Sequence, residues 1–126
     1  MHATGQFDVK ITAGDHSPDP TIASYSLSKQ YHGDLEATAQ GEMLSAGDPK
    51  TGDAGYVAIE RVAGTLGGKN GTFALMQIAT MSRASGSELT VTIVPGSGTG
   101  ELTSINGAMK IMVAHGEHSY VLDYTL

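Results

Sequence analysis

The sequence predicts an all-β protein, a single closed antiparallel barrel of about eight strands, and three observations lead there. Alternating apolar and polar segments run nearly end to end, broken by turn signals at the spacing of a sandwich or barrel. Seventeen glycines without low-complexity repetition suit many tight turns between short strands. No useful length of chain combines helical periodicity with caps, so little helix is expected. An open sheet of this many strands would leave long edges, which closure removes. About eight strands enclose an interior that is either filled by side chains or holds one small ligand. At 126 residues, one domain is the expectation, and it is large enough to bury a core without staples.

The elements follow in order. Strands are expected near Gly5–Thr12, Ile22–Tyr31, Leu35–Ala46, Ala54–Leu66, Thr72–Met81, Glu88–Pro95, Ala108–Ala114 and Ser119–Leu126, with a short extended piece around Leu102–Ile105. Asp15-His16-Ser17-Pro18-Asp19-Pro20 cannot continue a ladder, because both prolines lack a donor. Gly33-Asp34 is read as a tight hairpin turn, Asn70-Gly71 as a type I′ turn and Gly116-Glu117 as a two-residue II′ turn. These turns set the register, and register decides which side chains share a face. Asn70-Gly71 groups Tyr56, Ala58, Glu60, Val62 and Leu66 with Phe73, Leu75, Gln77, Ala79 and Met81, and brings Glu60 near Met81. Leu89, Val91 and Ile93 extend that row. Gly116-Glu117 sets Met109, Ile111 and Val113 beside Tyr120, Leu122 and Tyr124, while Phe7, Val9 and Ile11 add a further apolar row. Gly33-Asp34 would place Tyr25, Leu27 and Tyr31 beside Glu36, Thr38, Gln40 and Glu42, a face that mixes tyrosines with carboxylates and amides.

Composition excludes several functions. Seven Lys and Arg against 13 Asp and Glu give a formal charge of −6, and the basic residues stand singly, so nucleic acid is not an expected partner. Cysteine is absent, which removes disulfides, thiolate metal sites and thiol nucleophiles. No apolar run approaches the roughly 20 residues of a membrane helix. The first residues lack a basic head and an apolar stretch, so no secretory leader is read there. A cytoplasmic protein without membrane attachment is expected. Neither a metal nor another cofactor is expected: the five histidines show no ligand spacing, and Gly96-Ser97-Gly98-Thr99-Gly100 lacks the Gly-Lys-[Ser/Thr] ending of a phosphate loop.

Glu42 and Glu60 form the leading candidate pair for chemistry. Pairing across Gly47–Asp53 is expected to put both on the face of even-numbered positions, with Gln40 and Tyr56. Carboxylates held together inside a barrel acquire raised pKa values and serve as general acid or base. The plainer reading turns one or both outward, or pairs them with Arg61 or Lys29. Gln77 interrupts an apolar row and, if buried, needs a partner. Tyr25, Tyr56, Tyr120 and Tyr124 are candidate cavity-lining hydroxyls, although such residues also pack with the hydroxyl at a rim.

Several strings carry a resemblance: Tyr31-His32-Gly33-Asp34-Leu35-Glu36, Gly41-Glu42-Met43-Leu44-Ser45-Ala46, Gly55-Tyr56-Val57-Ala58-Ile59-Glu60-Arg61-Val62, Gly71-Thr72-Phe73 and Ser97-Gly98-Thr99-Gly100-Glu101-Leu102. Together they resemble a family of small, mostly bacterial proteins known only as domain of unknown function 3224, from about Ala3 to Leu126. That resemblance implies an eight-stranded barrel of the allene oxide cyclase type, akin in shape to lipocalins, but no activity. No motif here carries the catalytic residues of allene oxide cyclases.

Three functions stay open on the sequence alone. The first is a barrel binding a small, partly apolar or amphipathic molecule among Tyr25, Gln40, Tyr56, Gln77, Tyr120 and Tyr124. The second is a cofactor-independent isomerase or cyclase using Glu60 or Glu42. The third is a filled barrel acting through self-association. An outer row of Val57, Ile59, Ala63, Met76 and Ile78 is unusually apolar for a solvated face, so a homo-oligomer, most simply a dimer, is expected.

Overall fold

The computed structural model describes all 126 residues. Its strands are β1 (His2–Ala13), β2 (Ile22–Gly33), β3 (Leu35–Asp48), β4 (Asp53–Leu66), β5 (Lys69–Ser82), β6 (Gly86–Ile93), β7 (Thr99–Gly100), β8 (Asn106–Ala114) and β9 (Glu117–Thr125). Eight of them pair antiparallel in the ring β1-β2-β3-β4-β5-β6-β8-β9 and back to β1; the two-residue β7 adds onto β5. A single 3₁₀ turn, Pro49–Thr51, joins β3 to β4 and is the only helical element. The fold is therefore the expected all-β closed barrel.

Two joins in the ring are made by distant parts of the chain. Residues 2–7 of β1 pair with 118–123 of β9. β6 meets β8 only at Val91 opposite Met109 and Thr92 opposite Ala108, the sparsest seam in the wall.

The turns differ in place from the sequence reading. The β4–β5 hairpin turns at Gly67-Gly68, both at positive φ (56° and 84°), not at Asn70-Gly71. Glycine enters these two left-handed positions without a Cβ clash, so the pair outcompetes Asn-Gly for the I′ turn. The shift is even, so the faces survive, but Glu60 stands opposite Leu75 rather than near Met81. The last hairpin turns at His115-Gly116 with the faces again as expected.

At Gly33-Asp34 the slip is odd. Tyr31 pairs with Ala37, so the inner row of β3 is Leu35, Ala37, Ala39, Gly41 and Met43. The cause is local. Asp34 donates its N–H to Thr4 O (3.0 Å), and its carbonyl accepts from Gly67 N (3.1 Å). Leu35 N donates to the Tyr120 hydroxyl (3.0 Å). These outside partners open the connection beyond a two-residue hairpin.

Leu102–Ile105 is not extended. It folds as consecutive turns, with Leu102 N donating to Thr99 O (3.0 Å) and Ile105 N to Leu102 O (3.1 Å). Both side chains are buried and stopper one end of the barrel against Leu35, Leu66, Phe73 and Leu122, members of the same core cluster.

Candidate functional site

The two ends of the barrel are built alike and finished differently. Inward side chains follow the odd positions on β1, β2, β3, β5, β6 and β8, and the even positions on β4 and β9. At the stoppered end these rows are fully packed. At the other end the same rows run out uncovered: Ile11 is 53 % exposed, Met81 41 %, Leu89 44 % and Val113 64 %. No chain segment covers them, and the end is an apolar cup.

Two adjoining cavities lie in the cup. The outer one, about 420 Å³, is lined by Tyr25, Met43, Tyr56, Ala79, Met81 and Leu89 among others. The inner one, about 180 Å³, lies between Phe7, Val9, Leu27, Lys29, Gln77, Ile111 and His118, and shares Met43, Tyr56 and Leu89 with the first. A mostly apolar wall with a few convergent polar groups is the usual composition of a small-molecule site.

Those polar groups sit at the floor, where the cup meets the packed core. Glu60, 1 % exposed, accepts a hydrogen bond from the Tyr31 hydroxyl on one carboxylate oxygen. Lys29 Nζ lies 3.0 Å from its other oxygen. That oxygen has no aligned hydrogen bond, so Coulomb attraction rather than directional bonding makes the contact. Lys29 also lies over the Phe7 ring, 4.8 Å from its centroid, and 5.8 Å from that of Tyr31. Burying either charge alone would be expensive; together they leave a neutral floor. Beside them Tyr56 donates to Gln77 Oε1 (3.3 Å), while Gln77 Nε2 is buried without a partner. Burial, and then the charge of Glu60, raises the Tyr31 and Tyr56 phenols above their ordinary range, so both remain donors near neutrality.

The sequence-predicted residues divide into three groups. Tyr25, Tyr56 and Gln77 line the cup, and Glu60 lies just beneath it. Gln40 and Glu42 do not join them: Glu42 pairs with Ile59 and Gln40 with Arg61, all on the outer surface. The odd slip at Gly33-Asp34 turns that row outward, and the β3–β4 register sets Gly41, not Glu42, opposite Glu60. Tyr120 and Tyr124 belong to the packed end. The Tyr120 hydroxyl donates to His32 O (2.9 Å) and accepts from Leu35 N, which fastens β9 to the β2–β3 connection. A Cβ at Gly5 would lie 2.6 Å from that hydroxyl, so only glycine lets the tyrosine through.

The sequence offered Lys29 as an ion-pair partner, and it pairs with Glu60, but neither Lys29 nor Tyr31 was expected at the floor of a cavity. The available signal was Lys29 itself, a lone cation in the row Tyr25, Leu27, Tyr31.

Comparison with known proteins agrees with this architecture. The model of the family described as protein of unknown function (DUF3224) matches residues 3–124, and the chain belongs to that family. A crystal structure of a DUF3224 protein of unknown function from Shewanella oneidensis MR-1 is 40 % identical. It superposes with a TM-score of 0.88 over 99 % of this chain and 96 % of that one. No curated protein matches the chain.

Proposed function

We propose that this DUF3224 barrel binds a small, partly apolar molecule in its open half. One observation carries the reading: the inward apolar rows that make a core at one end remain uncovered at the other, around a cavity of about 420 Å³. Such apolar surface gains free energy when a ligand removes it from water, about 25 cal/mol for each Å². The neutral floor disfavours a strongly charged ligand, and the acidic surface disfavours an anion above all. We favour binding over isomerase or cyclase chemistry, because both Glu60 oxygens are engaged and Glu42 faces outward. On this proposal, the resemblance to allene oxide cyclases extends to barrel shape alone. N-phenylnaphthylamine, a neutral probe that fluoresces in apolar sites, tests the proposal. Enhancement is expected with the parent protein, with at least a tenfold loss of affinity in Leu89→Arg. Absence of binding, or equal binding by the variant, refutes the cup as the site.

We also propose a homodimer through the outer surface of β3, β4 and β5, in a protein acting in the cytoplasm, the setting its lack of cysteine suits. Leu44, Val57, Ile59, Met76 and Ile78 are exposed there in adjacent paired positions. Glu42 and Arg61, one of each sign, border the patch, so two copies can meet on it without the repulsion expected of a chain of charge −6. Light scattering is expected to give twice the chain mass, reverting to one in Ile59→Lys; a parent monomer at millimolar concentration discards the dimer.

A further inference from the structure

Building on the cup as a binding site, we infer that its ligand carries a neutral hydrogen-bond acceptor, a ketone- or ester-type carbonyl, which seats on Gln77 Nε2 while the apolar body fills the cup. The reason is the unequal inventory of donors and acceptors at the floor. Gln77 is 5 % exposed, and its carbonyl oxygen takes the Tyr56 hydroxyl proton, which leaves the amide N–H₂ without a partner. A buried donor left unmade costs more than an average hydrogen bond returns, so the site is completed by whatever supplies an acceptor there. Lys29 lines the same inner cavity. Its ammonium has three protons, and a single carboxylate oxygen at 3.0 Å does not use them all. Both groups that reach the inner cavity with protons to spare are therefore donors.

The carboxylate acceptor of the floor is spent and out of reach. The Tyr31 hydroxyl holds one Glu60 oxygen and Lys29 faces the other, and Glu60 does not line either cavity. A ligand whose head group only donates would leave Gln77 Nε2 without a partner.

Charge narrows the class further. A carboxylate beside Gln77 would lie close to Glu60, since Gln77 is the diagonal neighbour of Glu60 across the β4–β5 ladder. Lys29 already balances Glu60, and a second anion in this low-dielectric floor would be unbalanced. A cationic head would meet Lys29. A neutral carbonyl satisfies Gln77 with neither penalty. The inner cavity of about 180 Å³ takes a carbonyl with a short substituent, and the outer one of about 420 Å³ takes a ring system or chain of roughly drug-fragment size.

Naphthyl methyl ketone, isopropenylnaphthalene and naphthylethanol share one shape and differ only in the head group. Calorimetric titration of the 126-residue protein with each is the test. The ketone is expected to bind about tenfold more tightly than the hydrocarbon, the size of one desolvated hydrogen bond. In Gln77→Leu, which keeps the approximate volume and removes an unpartnered amide, the ketone's tenfold preference over the hydrocarbon is expected to vanish. In proton NMR, the Gln77 side-chain N–H₂ resonances are expected to shift with the ketone and not with the hydrocarbon. If ketone and hydrocarbon bind equally, or the alcohol binds best, the carbonyl inference falls and the apolar cup stands. If none of the three binds, or Leu89→Arg leaves all three bound, the cup itself falls with it.

Discussion

The stoppered and open halves of this barrel are made from the same strands and the same alternation of residues. In the stoppered half, Leu35, Leu66, Leu75 and Leu122 are completely or almost completely buried. A few residues along the same ladders, Met81, Leu89 and Val113 stand in solvent. What separates them is not hydrophobicity but cover. The Glu101–Ile105 turns drive Leu102 and Ile105 into one mouth, and Tyr120 ties the connection between β2 and β3 across it. Binary patterning thus specifies which face looks inward, while loops decide whether the inside becomes core or cavity. The Lys29–Glu60 pair marks the boundary, with Tyr31 in the packed core above it and the cup below.

The most severe way to break this division is at its boundary. Lys29→Met strands the Glu60 carboxylate in an apolar floor and is expected to lose about 3–5 kcal/mol in urea unfolding. Adding Glu60→Gln is expected to recover most of the loss. If the single variant is as stable as the parent, the ion pair does not hold the boundary. Next in size is a matched pair of truncations. Leu102→Ala removes part of the stopper and is expected to lose about 2–5 kcal/mol, whereas Leu89→Ala at the open mouth is expected to change stability by about 0.5 kcal/mol or less. Equal losses would erase the distinction between the halves.

The smallest effect is alkaline. Burial first, then nearby negative charge, lifts Tyr31, Tyr56 and Tyr120 above the ordinary phenol value of about 10, although the bond to the Leu35 backbone partly counters this at Tyr120. These groups ionise earlier in the unfolded chain than in the folded one. The stability tied to their protons is complete below about pH 10 and falls as pH rises from there toward the folded-state values. Phenolate absorbance is expected to lag behind that of free tyrosine and to catch up as the barrel unfolds; Tyr31→Phe is expected to flatten this alkaline decline. Phenols that all ionise near 10 while the fold persists would contradict the packed environment.

Much of the fold was legible because it rests on patterns that tolerate small errors. Misplacing the β4–β5 turn at Asn70-Gly71 rather than Gly67-Gly68 left Glu60 and Gln77 on the correct inner face, since the displacement is even. The same indifference preserved the β8–β9 rows. The odd displacement at Gly33-Asp34 was fatal to the Gln40 and Glu42 assignment. It depends on hydrogen bonds to Thr4, Gly67 and Tyr120, partners that no local reading of the turn contains. Lys29 was named as a possible partner of the glutamates, and it pairs with Glu60, but its burial was not foreseen. A lysine in a strand is ordinarily taken as solvated, and only the arrival of Glu60 from β4 makes its burial sustainable. Closure was predictable in kind, but the seam between β1 and β9 and the sparse one between β6 and β8 required the whole ring.

The pairing of residues 2–7 with 118–123 also has a meaning in time. Of the strands in this ring, the first to be synthesised is hydrogen-bonded on one flank to the last. Until β9 emerges, β1 offers half a ladder of unpaired backbone groups to any neighbour, and the nascent sheet can curl but cannot become a ring. The ring cannot be complete without this contact between the strands most distant in sequence. Closing the ring is thus a non-local contact, slower to form by loop closure than any of the hairpins.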